Sequence, residues 1–266
     1  FKGDINMLNH FSIPKESFNG PVLITGAGGC IGAWTTAMLL KANIEVIAFD
    51  LTSNKRRPEL LINHEKLSKV PWVEGDISNT ETVISTIEKY KPESIIHLAA
   101  LQVPFCAADP TTGAKVNVVG TVNIMEAARQ NSIKRIAHAS SMAAHSFIPG
   151  SDSLKTLYGA YKMCDEQISE VYWQDHKVPS VCLRPAIVNG VGRDQGMTSK
   201  QTVAMLAAAL GEPYDIPYTG YVSHLSAAEV ASAFIHSVSY EGDGAFVFDI
   251  FGESVNINDT IKMINE

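Results

Sequence analysis

The chain is short of several things, and each shortage closes a class of function. Basic residues are outnumbered: 21 Lys and Arg stand against 28 Asp and Glu, a net charge of −7. Nucleic acids and anionic membranes need a basic face, so neither is expected as a partner. No apolar run approaches the roughly 20 residues that a membrane helix requires. Residues 1–19 are mixed and polar, without the charged-then-apolar order of a secretion signal. The chain opens on Phe1 rather than Met, which leaves room for sequence upstream. Cysteines are few, and Cys30, Cys106, Cys164 and Cys182 are scattered rather than paired at zinc or redox spacing. They read as isolated thiols in a reducing compartment, so a soluble cytoplasmic protein with no metal is expected. Internal repeats and low-complexity segments are lacking too. What remains is a chain of 266 residues, 45% hydrophobic and 18% charged, long enough for one large α/β domain with a small second lobe.

The most informative stretch begins at Val22-Leu23-Ile24, an apolar run that reads as a buried parallel strand. Thr25-Gly26-Ala27-Gly28-Gly29-Cys30-Ile31-Gly32 follows at once. Gly26 permits a tight turn, Gly29 lets backbone approach a phosphate, and Gly32 lets the next helix pack against the strand. Free N–H groups at the helix start, around Cys30 and Ile31, then favour a pyrophosphate. A ligand-free glycine turn is the competing explanation, and the context weighs against it. A second strand, Glu45–Phe49, ends in Asp50, where an acidic residue takes ribose hydroxyls. Lys55, Arg56 and Arg57 lie just beyond. They either grip the 2′-phosphate of NADP or form a solvated surface. Asp50 would repel that phosphate, which favours NAD.

Strands and helices then alternate. Trp72–Ile77 is a third strand with a polar loop, in which Asp76 is placed to accept from an adenine amino group with Ile77 against the ring. Equally, Asp76 or Ser78 caps the helix Thr80–Tyr90. A fourth strand ends in Leu98-Ala99-Ala100, small enough for a dinucleotide to pass over. A helix runs from Asp109-Pro110 to about Asn131, a fifth strand from Lys134 to Ser141, and a long helix from Tyr158 to His176. A sixth strand, Pro179–Leu183, ends at Arg184-Pro185. This alternation predicts an α/β fold, a Rossmann doubly wound parallel sheet with a small C-terminal substrate-capping lobe. The expected divisions are a surface leader (1–20), an NAD-binding domain (21–185) and the lobe (186–266). In the lobe we expect helices Thr198–Leu210 and Ala227–Val238, a strand Ala245–Ile250 returning to the main sheet, and a last helix near Asn258. Ligands of such sheets bind across the carboxyl ends of the strands.

Chemistry is suggested where Ser140-Ser141 ends a strand and Tyr158-Gly159-Ala160-Tyr161-Lys162 opens a helix. Residues four apart share a helix face, so Tyr158 and Lys162 point together while Tyr161 does not. A lysine cation about 4 Å from the phenol, at an effective dielectric near 20, contributes roughly 4 kcal/mol. That is about three pKa units, enough to make tyrosine a base near neutrality. Ser141 would hydrogen-bond the substrate oxygen. A plain helix face is the alternative.

Together these motifs resemble an extended short-chain dehydrogenase/reductase of the NAD-dependent epimerase/dehydratase (sugar epimerase) family. The similarity covers Val22 to Ile250, with Asn117-Val118-Val119-Gly120-Thr121 and Leu183-Arg184-Pro185 followed by Gly190-x-Gly192-Arg193 as further marks. The resemblance implies Tyr158 as acid/base, Lys162 also on the nicotinamide ribose, Ser141 as partner hydroxyl, and Asn117 and Pro185 at the cofactor. It implies a homodimer through the helices beginning near Thr111 and Tyr158, and a sugar or nucleotide-sugar substrate. Three features depart from the family. Ala144-His145-Ser146 replaces its frequent Val-Tyr-Gly, and Met142-Ala143 stands where 4,6-dehydratases carry Asp-Glu, which argues against dehydration. The lobe also stops at Glu266, short of the family's usual extent. Ser141, Met142, Arg193, Thr198 and His224 are the substrate candidates, though Arg193, Thr198 and His224 read equally as surface. Epimerisation and simple dehydrogenation share one first half-reaction and stay undivided. A non-catalytic dinucleotide sensor, which has no use for Ser141, Tyr158 and Lys162, is the alternative of another class.

Overall fold

The computed structural model describes residues 8–266. Its strands, in chain order, are β1 (Val22–Thr25), β2 (Val46–Asp50), β3 (Trp72–Glu74), β4 (Ser94–His97), β5 (Ile136–Ala139), β6 (Ser180–Pro185), β7 (Val188–Asn189), β8 (Tyr221–Ser226), β9 (Ala245–Ile250) and β10 (Glu253–Asn256). Seven form the main sheet in the order β3-β2-β1-β4-β5-β6-β9, and every pair in it is parallel. Such a sheet must be covered on both faces, and the alternation along β1 shows how. Val22 and Ile24 enter one buried cluster, with Trp34, Met38 and Phe234. Leu23 enters the other, with Phe49, Ile87 and Ile124.

The main helices are α1 (Cys30–Lys41), α2 (Thr80–Tyr90), α3 (Gly120–Gln130), α4 (Leu157–His176), α5 (Lys200–Leu210), α6 (Ala227–Ser237) and α7 (Ile257–Asn265). Strand order reverses between β1 and β4, so a crevice opens where the chain leaves β1 for α1. The glycine turn lies in that crevice.

Several boundaries differ from expectation for local reasons. Neither Asp76 nor Ser78 caps α2; Asn79 does, its side chain accepting from the Thr82 amide. The stretch from Asp109 to Asn131 is not one regular helix: Pro110–Ala114 passes through a π-helical turn, Lys115–Val119, before α3. Helix α4 starts one residue early because Thr156 caps it, accepting from the Gly159 amide. β7, β8 and β10 escape sequence reading; they form a second sheet, with β8 antiparallel to β10 and parallel to β7. Of the expected leader, residues 1–7 lie outside the described residues. Leu8 is buried in the body, with Phe11, Ile13 and Phe18 packed against the same cluster, so that segment adheres through its apolar side chains. Helix α6 packs into that cluster too, beside α1. The chain beyond Pro185 thus supplies a layer of the main body as well as the small sheet. Among the described residues, no helix is long and apolar enough to cross a membrane, and no cluster of metal-binding side chains occurs.

Candidate active site

The glycine turn is built by close approach of backbone to backbone. Gly26 adopts φ +71°, and a Cβ there would lie 2.7 Å from the Ala99 nitrogen and 2.8 Å from the Leu98 carbonyl carbon. A Cβ on Gly32 would collide with the Gly26 carbonyl. The segment 98–99 is fixed from below by Thr25, whose hydroxyl accepts from the amides of Leu98 (3.2 Å) and Ala99 (3.3 Å). Gly29 is the residue before α1, and no side chain caps the helix. Its first N–H groups around Cys30, Ile31 and Gly32 are therefore free to meet an anion. Burial pushes the Cys30 thiol up to about 11, against the pull of Arg193 and Arg57 nearby. It is a neutral wall of the cradle.

The cations after Asp50 have a task that sequence reading does not reveal. Arg57 donates to the Gly28 carbonyl (3.1 Å) and to Asp194 (2.6 and 3.0 Å), and Arg56 also pairs with Asp194. Burial raises the Asp194 carboxyl, but the two arginines outweigh it and hold it below the usual range. Both guanidinium groups are thus committed to a loop 137 residues on, rather than free for a 2′-phosphate. That loop crosses α1, where the Val191 carbonyl accepts from the Trp34 indole (3.0 Å). Arg193 donates to the Thr198 hydroxyl (3.1 Å), and its Nε is buried without a partner.

The strand ends line up along the carboxyl edge. Asp50 closes β2, one oxygen accepting from the Gly28 amide and the other from Leu51, each at 2.8 Å. Asp76, beyond β3, is exposed and accepts from the Ser78 amide and hydroxyl at 2.8 Å. Its other oxygen is open. Ile77 was expected on an adenine ring; it is 5% exposed, because it packs on Gly120. Leu98, Ala99 and Ala100 are half-buried beyond β4, and Pro185 ends β6. Asn117, expected at a cofactor, is wholly buried. Its amide is spent on both backbone groups of Leu101 (2.8 and 3.1 Å) and on Cys106. It shapes the crevice by fixing the chain after Ala100.

Ser141 follows β5 and caps a short 3-10 turn, Met142–Phe147, accepting from the Ala143 amide (3.2 Å). Gly159 brings the first turn of α4 against it; a Cβ there would stand 2.5 Å from the Ala143 carbonyl oxygen. Ser141, Met142 and Tyr158 are all half-buried, and the turn that follows Ser141 lies against the first turn of α4. Lys162 lies near the phenol as its spacing on the helix requires, its Nζ 6.0 Å from the centre of the Tyr158 ring, and it also bonds Asp165 at 3.2 Å. Burial would lower the lysine, but Asp165 and then Tyr158 more than offset this, and it stays cationic.

Behind these residues lies a buried polar layer invisible in the sequence. His97 bridges the Thr25 hydroxyl (2.7 Å) and the Thr121 hydroxyl (3.3 Å). His138 bonds Ser169 at 2.8 Å. Burial, and next Lys162, lower both rings, His138 to about 3. Both are neutral. Glu166 takes Ser140 and, through both oxygens, Arg184 (2.5 and 2.7 Å), which continues to Asp249 and His145. His224 sits on β8, lowered by burial, with Nε2 unpartnered; it pairs in register with Glu253, and its backbone meets Gly252, just beyond the carboxyl end of β9.

Comparison with known proteins supplies the context. The sequence profile of the NAD dependent epimerase/dehydratase family matches residues 22–244. A UDP-glucose 4-epimerase of Mycolicibacterium smegmatis is 32% identical over 181 residues, covering 65% of this chain and 57% of the relative. One of Rhizobium meliloti is 27% identical, covering 90% and 76%. A CDP-paratose 2-epimerase of Salmonella typhi is 36% identical over 110 residues, 41% of this chain and 32% of the relative. The chain thus spans little more than half the length of the first of these enzymes. Among solved structures, the UDP-glucose 4-epimerase of Thermotoga maritima with UDP-glucose superposes with a TM-score of 0.78 at 21% identity, covering 92% and 81%. That of Thermus thermophilus with NAD gives 0.76 at 22%, covering 92% and 82%. At these identities the structures establish a shared fold.

Proposed function

The chain belongs to the NAD dependent epimerase/dehydratase family, and from that premise we propose that it oxidises a hydroxyl of a sugar or nucleotide sugar with NAD, as the first half of an epimerisation. The residues present fit that cofactor. The uncapped start of α1, with the unpartnered Nε of Arg193 nearby, suits a pyrophosphate. Asp50 suits ribose hydroxyls, and the arginines a 2′-phosphate would need are held by Asp194. Bound NAD supplies the hydride acceptor.

The observation that carries the proposal is Tyr158 on the first turn of α4, half-buried, where that turn packs on the segment following Ser141, with the Lys162 cation 6.0 Å from the centre of its ring. Ser141 holds the substrate oxygen, and Tyr158 removes its proton as the carbon is oxidised. Lys162 stabilises the phenolate that accepts the proton. Met142 and Ala143 carry no proton to move, so elimination of water is outside this chemistry. The curated relatives put UDP-hexoses first in a substrate panel. The exposed Val119, Leu157 and Val171, on the π-helical turn and α4, support a homodimer through those helices.

Tyr158→Phe is the test. It should bind NAD as wild type does and lose several orders of magnitude in turnover. Undiminished turnover would refute the proposal. NAD retained through purification with no net NADH released identifies an epimerase, whereas accumulating NADH identifies a dehydrogenase.

A further inference from the structure

Adjacent acids on α4 are treated very differently. Glu166 has both oxygens engaged, by Arg184 and Ser140, as a structural brace should. Asp165 has one oxygen on the Lys162 ammonium at 3.2 Å, while its other oxygen is buried with no partner. The pair is sealed from water, the two side chains being 3% and 0% exposed. Burying two ions for a single hydrogen bond is a poor way to hold a helix in place. It does place a negative charge against the cation that serves Tyr158.

We propose that Asp165 is a positioning residue for the proton-transfer apparatus: its carboxylate holds the Lys162 ammonium in a buried slot behind Tyr158 and offsets part of the charge that the phenol feels. This rests on Tyr158 being the proton-transfer group. The surroundings leave Asp165 that role. From β4 and β5, His97 and His138 face the lysine as neutral rings. From β6, burial pushes the Cys182 thiol up and keeps it uncharged, and Arg184 is taken by Glu166. From α3, Thr121 carries no charge, and on α4 burial raises the Cys164 thiol. Burial pushes the Asp165 carboxyl up, while Lys162 and then the Thr121 hydroxyl pull it back.

Asp165→Asn keeps the shape and one acceptor but removes the charge. Asp165 and Tyr158 are seven residues apart, about 10 Å along the helix. At an effective dielectric near 20, losing a unit charge there should lower the Tyr158 midpoint by about one pH unit. The experiment titrates tyrosinate absorbance of the NAD-loaded protein, subtracting the Tyr158→Phe trace from wild type and the Asp165→Asn,Tyr158→Phe trace from Asp165→Asn. It is paired with the pH profile of kcat. The expected result is a downward shift of both the Tyr158 midpoint and the acidic limb of kcat, with KM within twofold. An unmoved Tyr158 midpoint in a folded Asp165→Asn protein, whatever its melting temperature, overturns the proposal. Should Asp165→Asn not fold, Asp165→Ser serves with the same two readings. Undiminished turnover by Tyr158→Phe would instead sink the function proposed above, and the titration does not depend on turnover.

Discussion

Replacing Gly26 by alanine tests whether the turn after β1 is as tight as its geometry requires. Two costs add. An alanine at φ +71° gives up about 1–2 kcal/mol relative to glycine, because its Cβ crowds the following carbonyl. The Cβ would also stand 2.7–3.0 Å from backbone atoms of Leu98 and Ala99, where ordinary contact begins near 3.4 Å. That segment cannot yield cheaply, since Thr25 holds both of its amides. Overpacking of this kind costs typically about 1–3 kcal/mol. The sum is about 2–5 kcal/mol, and at about 2–4 °C per kcal/mol for a chain of this size the melting temperature should fall by about 4–20 °C. Displacing the turn also misaims the amides at the start of α1, so NAD binding should weaken by more than about tenfold, a loss of about 1.4 kcal/mol. Gly150→Ala is the internal control. Gly150 has φ +86° with nothing within 4 Å of a Cβ, so only the conformational cost applies there. Thermal melts with and without NAD read both effects. If Gly26→Ala melts and binds as Gly150→Ala does, the close approach of residues 26 and 99 is not what defines the cradle.

Two further outcomes follow from groups described above. Asn117→Ala leaves the Leu101 amide without its acceptor and removes one of the two donors to the Leu101 carbonyl, and denaturant unfolding should show a loss of about 1–3 kcal/mol. Asp194→Asn tests the loop over the glycine turn by pH. The carboxyl is depressed in the folded state, so its contribution is present above the unfolded value near 4 and lost as pH falls through the folded one. Wild type should therefore exceed Asp194→Asn in stability at neutral pH, with the gap closing in acid. A gap independent of pH would contradict this.

The parts legible in the sequence are those written in local patterns. The glycine spacing, the acid closing β2, the small residues after β4 and the Tyr-x-x-x-Lys face each depend on a few neighbours, and the alternation of strands and helices gives the sheet. What escaped depends on partners far away in the chain. Arg57 looked like surface until Asp194, 137 residues on, took it. Glu166 needs Arg184 to explain its burial, and Asn117 needs Leu101. Asp165 resembles any helix acid, because only the fold shows that its face of α4 is sealed under the sheet. β7 is two residues long and β8 does not alternate, so neither had a period to detect. Spacing alone placed the lysine on the phenol's face of the helix but could not reveal the anion three residues on that it also meets.

The late return of the chain to the sheet has a mechanical consequence. β9 lies beside β6 over six paired residues, and Ala186 donates to the Ile250 carbonyl where the two strands end. Because the strands are parallel, the region between them leaves at the carboxyl end of β6 and re-enters at the amino end of β9, where Ser180 donates to the Gly244 carbonyl. Its two stems are thus held at opposite ends of one strand pair, and α6 anchors its middle to α1. It cannot swing as a door on one hinge. Any tightening of that region has to pull on α1, and through it on the glycine turn that α1 follows, so movement at one is felt at the other.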